Sequence, residues 1–269
     1  MTDKARLSSP ISFAGRGVTS KQNVTVEIEP ASPGSGITFV LRAKGGTVDV
    51  PARAEFVVNT LRNVVLGADG ARLCIVEHFL AAASLWGLDD LNVRVDGMEM
   101  PLGDGSALFW IDMFKKSGWE RRTVEPSVEL REPIILKKGD RTLMALPDER
   151  FSISYHMDWD HPLIGKRWQR WETKIDPLEI ASARTFGSLK EHQLLGLTDE
   201  VVTLTEDGFT QPLRFEDEPV RHKLLDLVGD LRLSGINPMA FKAGFVSIKA
   251  GHELDVELAR RLAQIVARL

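Results

Sequence analysis

The chain has 269 residues, 43% of them hydrophobic and 27% charged, with a formal net charge of -4. That balance suits one large globular domain or two modest ones and excludes wholesale nucleic-acid binding, so a nucleotide diphosphate would need a local Lys/Arg cluster. With one cysteine, Cys74, no internal disulfide can form, and the N-terminal MTDKARLSSPISFAG has no apolar signal core; a reducing, cytoplasmic setting without a membrane span is expected.

Val24–Glu29 alternates at period two, as a half-buried strand does. Ile37–Arg42 reads as a second strand after the turn-rich stretch 32–36. Cys74–Trp86 is expected to be a helix ended by Gly87, and Leu91–Val95 a strand. After Gly103-Asp104-Gly105, Ser106 is placed to cap a helix reaching about Lys116. The polar stretch 121–126 is the candidate linker. Beyond it, Val128–Leu130, Thr142–Leu146 and Phe151–Tyr155 read as strands. Pro219–Ser234 is expected to be a helix, with Pro219 near its first position and Gly235 past its end. Phe245–Ile248 is a strand and Glu253–Leu269 a final amphipathic helix. Each half thus carries a mid-half helix, a following strand and a terminal helix. The expected fold is α+β, in two similar domains at 1–123 and 124–269.

Two elements point to chemistry. In the first helix, Glu77 and His78 are the only ionisable side chains besides the thiol. A helix apolar nearly all round is buried, and buried Glu and His need partners or a task. Two readings stay open: a core histidine on a backbone carbonyl with Glu77 paired to an arginine, or a functional pair. The second element is His222-x3-Asp226-x3-Asp230, one slowly drifting stripe of a helix. His222 and Asp226, four apart, could grip one metal ion; the alternative is a solvated charged face. Leu225, Gly229 and Leu233 on that side, and Val220, Leu224, Leu227 and Leu231 opposite, suggest a helix packed on both sides. Two histidines and a carboxylate with an open fourth position form a recurring catalytic zinc set. Lys249-Ala250-Gly251-His252 reads by itself as an exposed loop, and His156, His161 and His192 give no spacing signal.

The stretches VEHFLAA (76–82), MPLGDGSA (100–107), DHPLIG (160–165), ARTFG (183–187), LRFEDEPVRHKLLDLVGDL (213–231) and KAGH (249–252) fall in family order along nearly the whole chain. In them the chain resembles the UDP-3-O-acyl-N-acetylglucosamine deacetylases, zinc hydrolases of the committed step of bacterial lipid A synthesis. The resemblance implies a mainly antiparallel sheet with two helices in each domain, the helices sandwiched between the sheets. It implies zinc, or ferrous iron, on His78, His222 and Asp226, and Glu77 as the base that activates water. Thr185 would stabilise the oxyanion, and His252, steadied by Asp230, would protonate the departing amine. Lys223 and Phe186 would contact the substrate, a UDP-amino sugar bearing an acyl chain; a cytoplasmic monomer is expected. Two other readings remain: a deacetylase of another N-acetylated nucleotide sugar, and a non-catalytic metal or sugar-nucleotide binder on the same scaffold. The chain departs from the family where Thr19 replaces a usual histidine, Lys21 a usual glycine and Asn63–Gly67 a usual threonine pair. The region 187–213 is also shorter than usual, which implies a shortened acyl passage.

Overall fold

The computed structural model describes residues 10–197 and 201–268. In the first half, β1 (Ile11–Arg16), β2 (Asn23–Pro30), β3 (Ile37–Ala43) and β4 (Gly46–Pro51) form two antiparallel hairpins. A small three-stranded sheet follows, made of β5 (Val57–Asn59), β6 (Val65–Ala68) and β7 (Ala71–Cys74). Helix α1 (Glu77–Trp86) then leads to β8 (Leu91–Asp96), which enters between the hairpins, antiparallel to β2 and parallel to β3. Helix α2 (Leu108–Lys116) completes this half.

The second half repeats the plan. After β9 (Val128–Glu129) come β10 (Ile134–Lys138) paired with β11 (Arg141–Pro147), and β12 (Ser152–Trp159) paired with β13 (Gly165–Glu172). A connecting region holds α3 (Leu178–Ala181), β14 (Phe186–Ser188), α4 (Leu189–Leu195) and β15 (Val202–Leu204). Helix α5 (Glu218–Leu231) leads to β16 (Phe241–Ile248), again inserted between hairpins, antiparallel to β11 and parallel to β12. Helix α6 (His252–Val266) follows. The strand orders β1-β2-β8-β3-β4 and β10-β11-β16-β12-β13 are therefore topological copies. The expected α+β architecture, with a helix, a strand and a terminal helix in each half, is what the chain adopts.

Binary patterning builds the layers. Val24, Val26 and Ile28 of β2 are buried while Thr25 and Glu27 are exposed, so one face of the sheet is covered. Helix α1 lies on that sheet, with Phe79 edge-on to Phe39 at 5.9 Å. Helix α5 packs against β12 and β13 of the other sheet and against α1, so the two helices form the middle of the sandwich. All ten residues of α1 are buried, as are most of those of α5, as expected for helices covered on both sides.

Several helix boundaries differ from expectation. Cys74 ends β7 rather than starting α1; its amide donates to Met98 O and its carbonyl accepts from Met100 N. Those backbone groups are therefore taken by another segment, and Ile75, at φ 62°, turns the chain into the helix. Helix α5 stops at Leu231, and Arg232–Ser234 tightens into a 3-10 turn before Gly235 at φ 94°. Ser106 Oγ accepts from the amide of Leu108, at the start of α2, at 3.2 Å. The last helix, expected over Glu253–Leu269, runs from His252 to Val266 with 267 and 268 in a turn, and Leu269 lies outside the described residues.

Candidate active site

The seam between α1 and α5 brings the sequence-separated residues together. A Cβ on Gly229 would come 2.1 Å from the Glu77 carbonyl oxygen, so only glycine lets the two backbones meet this closely. The rings of His78 and His222 lie edge to face, with centroids 4.9 Å apart. Both Nε2 atoms approach one oxygen: Asp226 Oδ1 is 3.3 Å from that of His222 and 3.6 Å from that of His78. His222 Nδ1 donates to Ala183 O at 3.0 Å, which leaves its Nε2 as a bare lone pair. Burial, opposed by Asp226, lowers the His222 pKa to about 4, so the ring is neutral near pH 7.

Asp226 is buried too. Its carboxyl is held well below the usual range, because the attraction of His222 and Lys223 outweighs the cost of burial. Its Oδ2 accepts from Lys223 Nζ at 2.7 Å, while its Oδ1 has no hydrogen-bond partner. An orphaned anionic oxygen facing two imidazole nitrogens, one of them a bare lone pair, is costly unless a cation lies among them. His78, His222 and Asp226 each offer one ligand atom, all within 4.8 Å of one another. These residues fit a divalent ion, and two imidazoles with one carboxylate suit zinc or a similar metal.

A second layer borders this triad. Glu77, on the same cleft, accepts from Val64 N at 3.1 Å rather than pairing with an arginine. Burial raises its carboxyl pKa, against the pull of His252 and His78. His252, at the first position of α6, is held by Asp230 Oδ2 at 2.7 Å from its Nδ1. Burial disfavours its charge, but Asp230 more than compensates and its pKa is pushed up to about 10. His252 is thus a built part of the cleft, not the exposed loop residue that its local sequence suggests.

The cleft has a volume of about 360 Å³, and Thr185, Phe186 and Lys223 also line it. Phe186 meets His222 edge-on at 6.5 Å and Trp159 at 5.2 Å. Away from the triad the wall turns apolar, with Ile75, Leu102, Leu197 and Val201 in one cluster. Beside that wall run β14 and β15, a parallel pair joined through α4, and from this region Phe186, His192 and Leu195 line the cleft. Thr19 reaches the cleft because Glu99 accepts the Thr19 and Ser20 amides, the latter at 2.7 Å.

Sequence reasoning missed the anchors. Buried Arg184 binds Glu218 through Nε at 2.8 Å and Nη2 at 3.1 Å, and Glu218 Oε2 also accepts from Arg214 N at 2.6 Å. This clamp fixes the segment carrying Thr185 and Phe186 to the start of α5; its sequence signal was the arginine of ARTF and the last glutamate of RFEDE. His192, which gave no spacing signal, lines the cleft.

A helix-borne His-His-Asp set, with a carboxylate and a His-Asp pair on the same cleft, is the equipment of a hydrolase. The pattern of the family described as UDP-3-O-acyl N-acetylglycosamine deacetylase (LpxC) matches residues 4–264. The chain belongs to that family. A UDP-3-O-acyl-N-acetylglucosamine deacetylase of Nostoc sp. is 37% identical, over 95% of this chain and 96% of its own length. The proteins of that name from Thermosynechococcus vestitus and Myxococcus xanthus are 34% and 36% identical, over 98% and 95% of this chain and 95% and 85% of their own lengths. Among the described residues no helix is long and apolar enough to cross a membrane.

Proposed function

We propose that this protein is an amide hydrolase that removes the N-acetyl group of a UDP-3-O-acyl-N-acetylglucosamine, the deacetylation step of lipid A synthesis. The observation that carries this reading is the orphaned Asp226 Oδ1 facing two imidazole nitrogens, on the cleft that Glu77 and His252 share. His78, His222 and Asp226 would hold the metal, for which zinc is the first choice and ferrous iron the second. A divalent ion bound there supplies Lewis acidity, lowering the pKa of water towards about 7 and polarising a carbonyl.

Glu77, as carboxylate, takes the proton of the attacking water. The Thr185 hydroxyl donates to the oxygen that gains charge as the acetyl carbonyl is attacked. His252, kept as imidazolium by Asp230, gives its proton to the sugar nitrogen as the C–N bond breaks. Lys223 holds Asp226 in its ligating pose and offers positive charge to the polar part of the substrate. Phe186 packs on the sugar or acyl region, and the apolar wall from Ile75 to Val201 takes the acyl chain. In this reading residues 1–123 and 124–269 are two domains, each giving one helix to the seam. In this reading the chain works as a monomer in a reducing compartment, a setting with which its single cysteine agrees.

The test is acetate release from UDP-N-acetylglucosamine with and without its 3-O-acyl group, beside metal analysis of the purified chain. About one metal ion per chain and turnover that depends on the acyl group are expected. Equal turnover of both substrates would point to another nucleotide sugar, and metal binding without acetate release would make the chain a binder.

A further inference from the structure

One buried acid next to the site has no part in this chemistry. Asp255 lies three residues beyond His252 on α6 and is 1% exposed. One carboxylate oxygen of Asp255, one of Asp230 and one ring nitrogen of His252 lie within 4.8 Å of each other. Asp230 commits Oδ2 to His252, while its Oδ1 is buried without a hydrogen-bond partner; Oδ1 of Asp255 is in the same state. Two orphaned acceptors in one dry place are costly, and a proton between them satisfies both.

Charge balance agrees. His252 offsets one carboxylate, not two. Other charged or titratable groups that act on Asp255 are Lys223 and Asp226 of α5 and Tyr155 of β12. Lys223 is already bonded to Asp226, and the Tyr155 hydroxyl of β12 donates to Ala250 O. We propose that Asp255 is a neutral acid that donates a hydrogen bond to Asp230 Oδ1, making it a positioning residue for the Asp230–His252 pair. Burial, and next the charge of Asp230, raise the Asp255 pKa to about 8, in keeping with this. The arrangement is a chain: Asp255 fixes Asp230, Asp230 fixes His252, and His252 faces the departing nitrogen. That last link rests on the proposed deacetylase reading; the shared proton does not.

The test uses the metal-loaded full chain with Asp255→Asn and Asp255→Leu. Asparagine keeps the shape and a donor, whereas leucine keeps bulk alone. The wild-type infrared spectrum near neutral pH should contain the carbonyl stretch of a protonated carboxyl group that is missing in Asp255→Asn. Asp255→Leu should lose roughly tenfold or more in kcat/KM, the usual effect of deleting an outer-shell partner, and its alkaline limb should move. Asp255→Asn should rescue the rate to within about threefold, with that limb in place. The proposal is overturned if the infrared band is absent, if Asn is as damaging as Leu, or if Asn shifts the alkaline limb down, which would mean that Asp255 had been ionised. Should Asp255→Leu fail to fold, the band and the Asn profile still decide. Should the wild type release no acetate, the deacetylase reading fails while the band still reports the proton.

Discussion

The α1/α5 seam and the β14–α4–β15 crossover border the same cleft but are built differently. In the seam every α1 side chain is buried, two helix backbones touch at Gly229, and His222, a proposed metal ligand, is oriented by a backbone carbonyl. The crossover has strands of three residues, a two-turn helix with Leu194 77% exposed, and surface ties such as Arg62–Glu191 at 2.6 Å and Lys21 Nζ to Gly196 O at 3.1 Å. Exposed ties of this kind contribute under about 1 kcal/mol each. Reacting atoms need placement to a fraction of an ångström, and a close-packed seam gives that. An acyl chain needs only an apolar wall, which tolerates small shifts. Changes in the seam should therefore cost turnover, and changes in the crossover should alter which chain is accepted.

The sharpest way to break this contrast is Glu77→Gln, which keeps shape and removes the proposed base. It should lower kcat by about 10²–10⁴-fold with metal content unchanged, measured by acetate release and metal analysis. Next is Gly229→Val. The new side chain must push α1 from α5, costing roughly 1–3 kcal/mol of stability in urea unfolding and weakening metal retention. Retention of full stability would show that the seam is looser than its geometry. Third is Asp230→Asn. The ionic partner raises the His252 pKa, so imidazolium persists in the native protein to about pH 10 and is lost above it. The same pair stabilises the fold fully below the ordinary imidazole pKa of about 6.5, and less as pH rises through 10. The variant should pull the alkaline limb of kcat/KM downward, and an unmoved limb would remove His252 from the proton-donor role.

How much of this was legible in the sequence follows the same divide. The seam shows itself because burial and charge conflict there: Glu77-His78 in an apolar helix and His222/Asp226 at i, i+4 are costly without a task. The inner strands β2, β8, β11 and β16 were legible at least in part through alternation or apolar runs. Strand β13, GKRWQRWE, was not; it is an edge strand whose exposed face is charged, so no apolar pattern marks it. The start of α1 was misplaced because Cys74 is bound to the Met98–Met100 segment, a tertiary pairing invisible locally. His252 was unreadable alone because its partner, Asp230, is 22 residues away. The family resemblance, not the local pattern, supplied its expected role.

The crossover gives the smallest and most specific prediction. His192 sits in the wall beside Leu195, Leu197 and Val201. Its Nδ1 lies 2.8 Å from Thr203 Oγ1, and its ring packs so closely under Gly187 that a Cβ there would come 2.3 Å from Nε2. Because the Thr203 hydroxyl can donate to Val201 O, at 3.3 Å, the imidazole is the natural donor to Thr203, which leaves Nε2 as an acceptor. Burial lowers the His192 pKa, so the ring is neutral near pH 7 and charges only on acidification below the ordinary imidazole range. A polar atom in an apolar wall disfavours a saturated chain, and a charged one more so. His192→Leu should therefore lower KM for a saturated acyl substrate by about fivefold, equivalent to roughly 1 kcal/mol of added apolar contact. It should also flatten the rise of KM on acidification that the same argument predicts for the wild type. If KM rises instead, His192 recognises a polar group on the chain, and the crossover selects by hydrogen bonding as well as by fit.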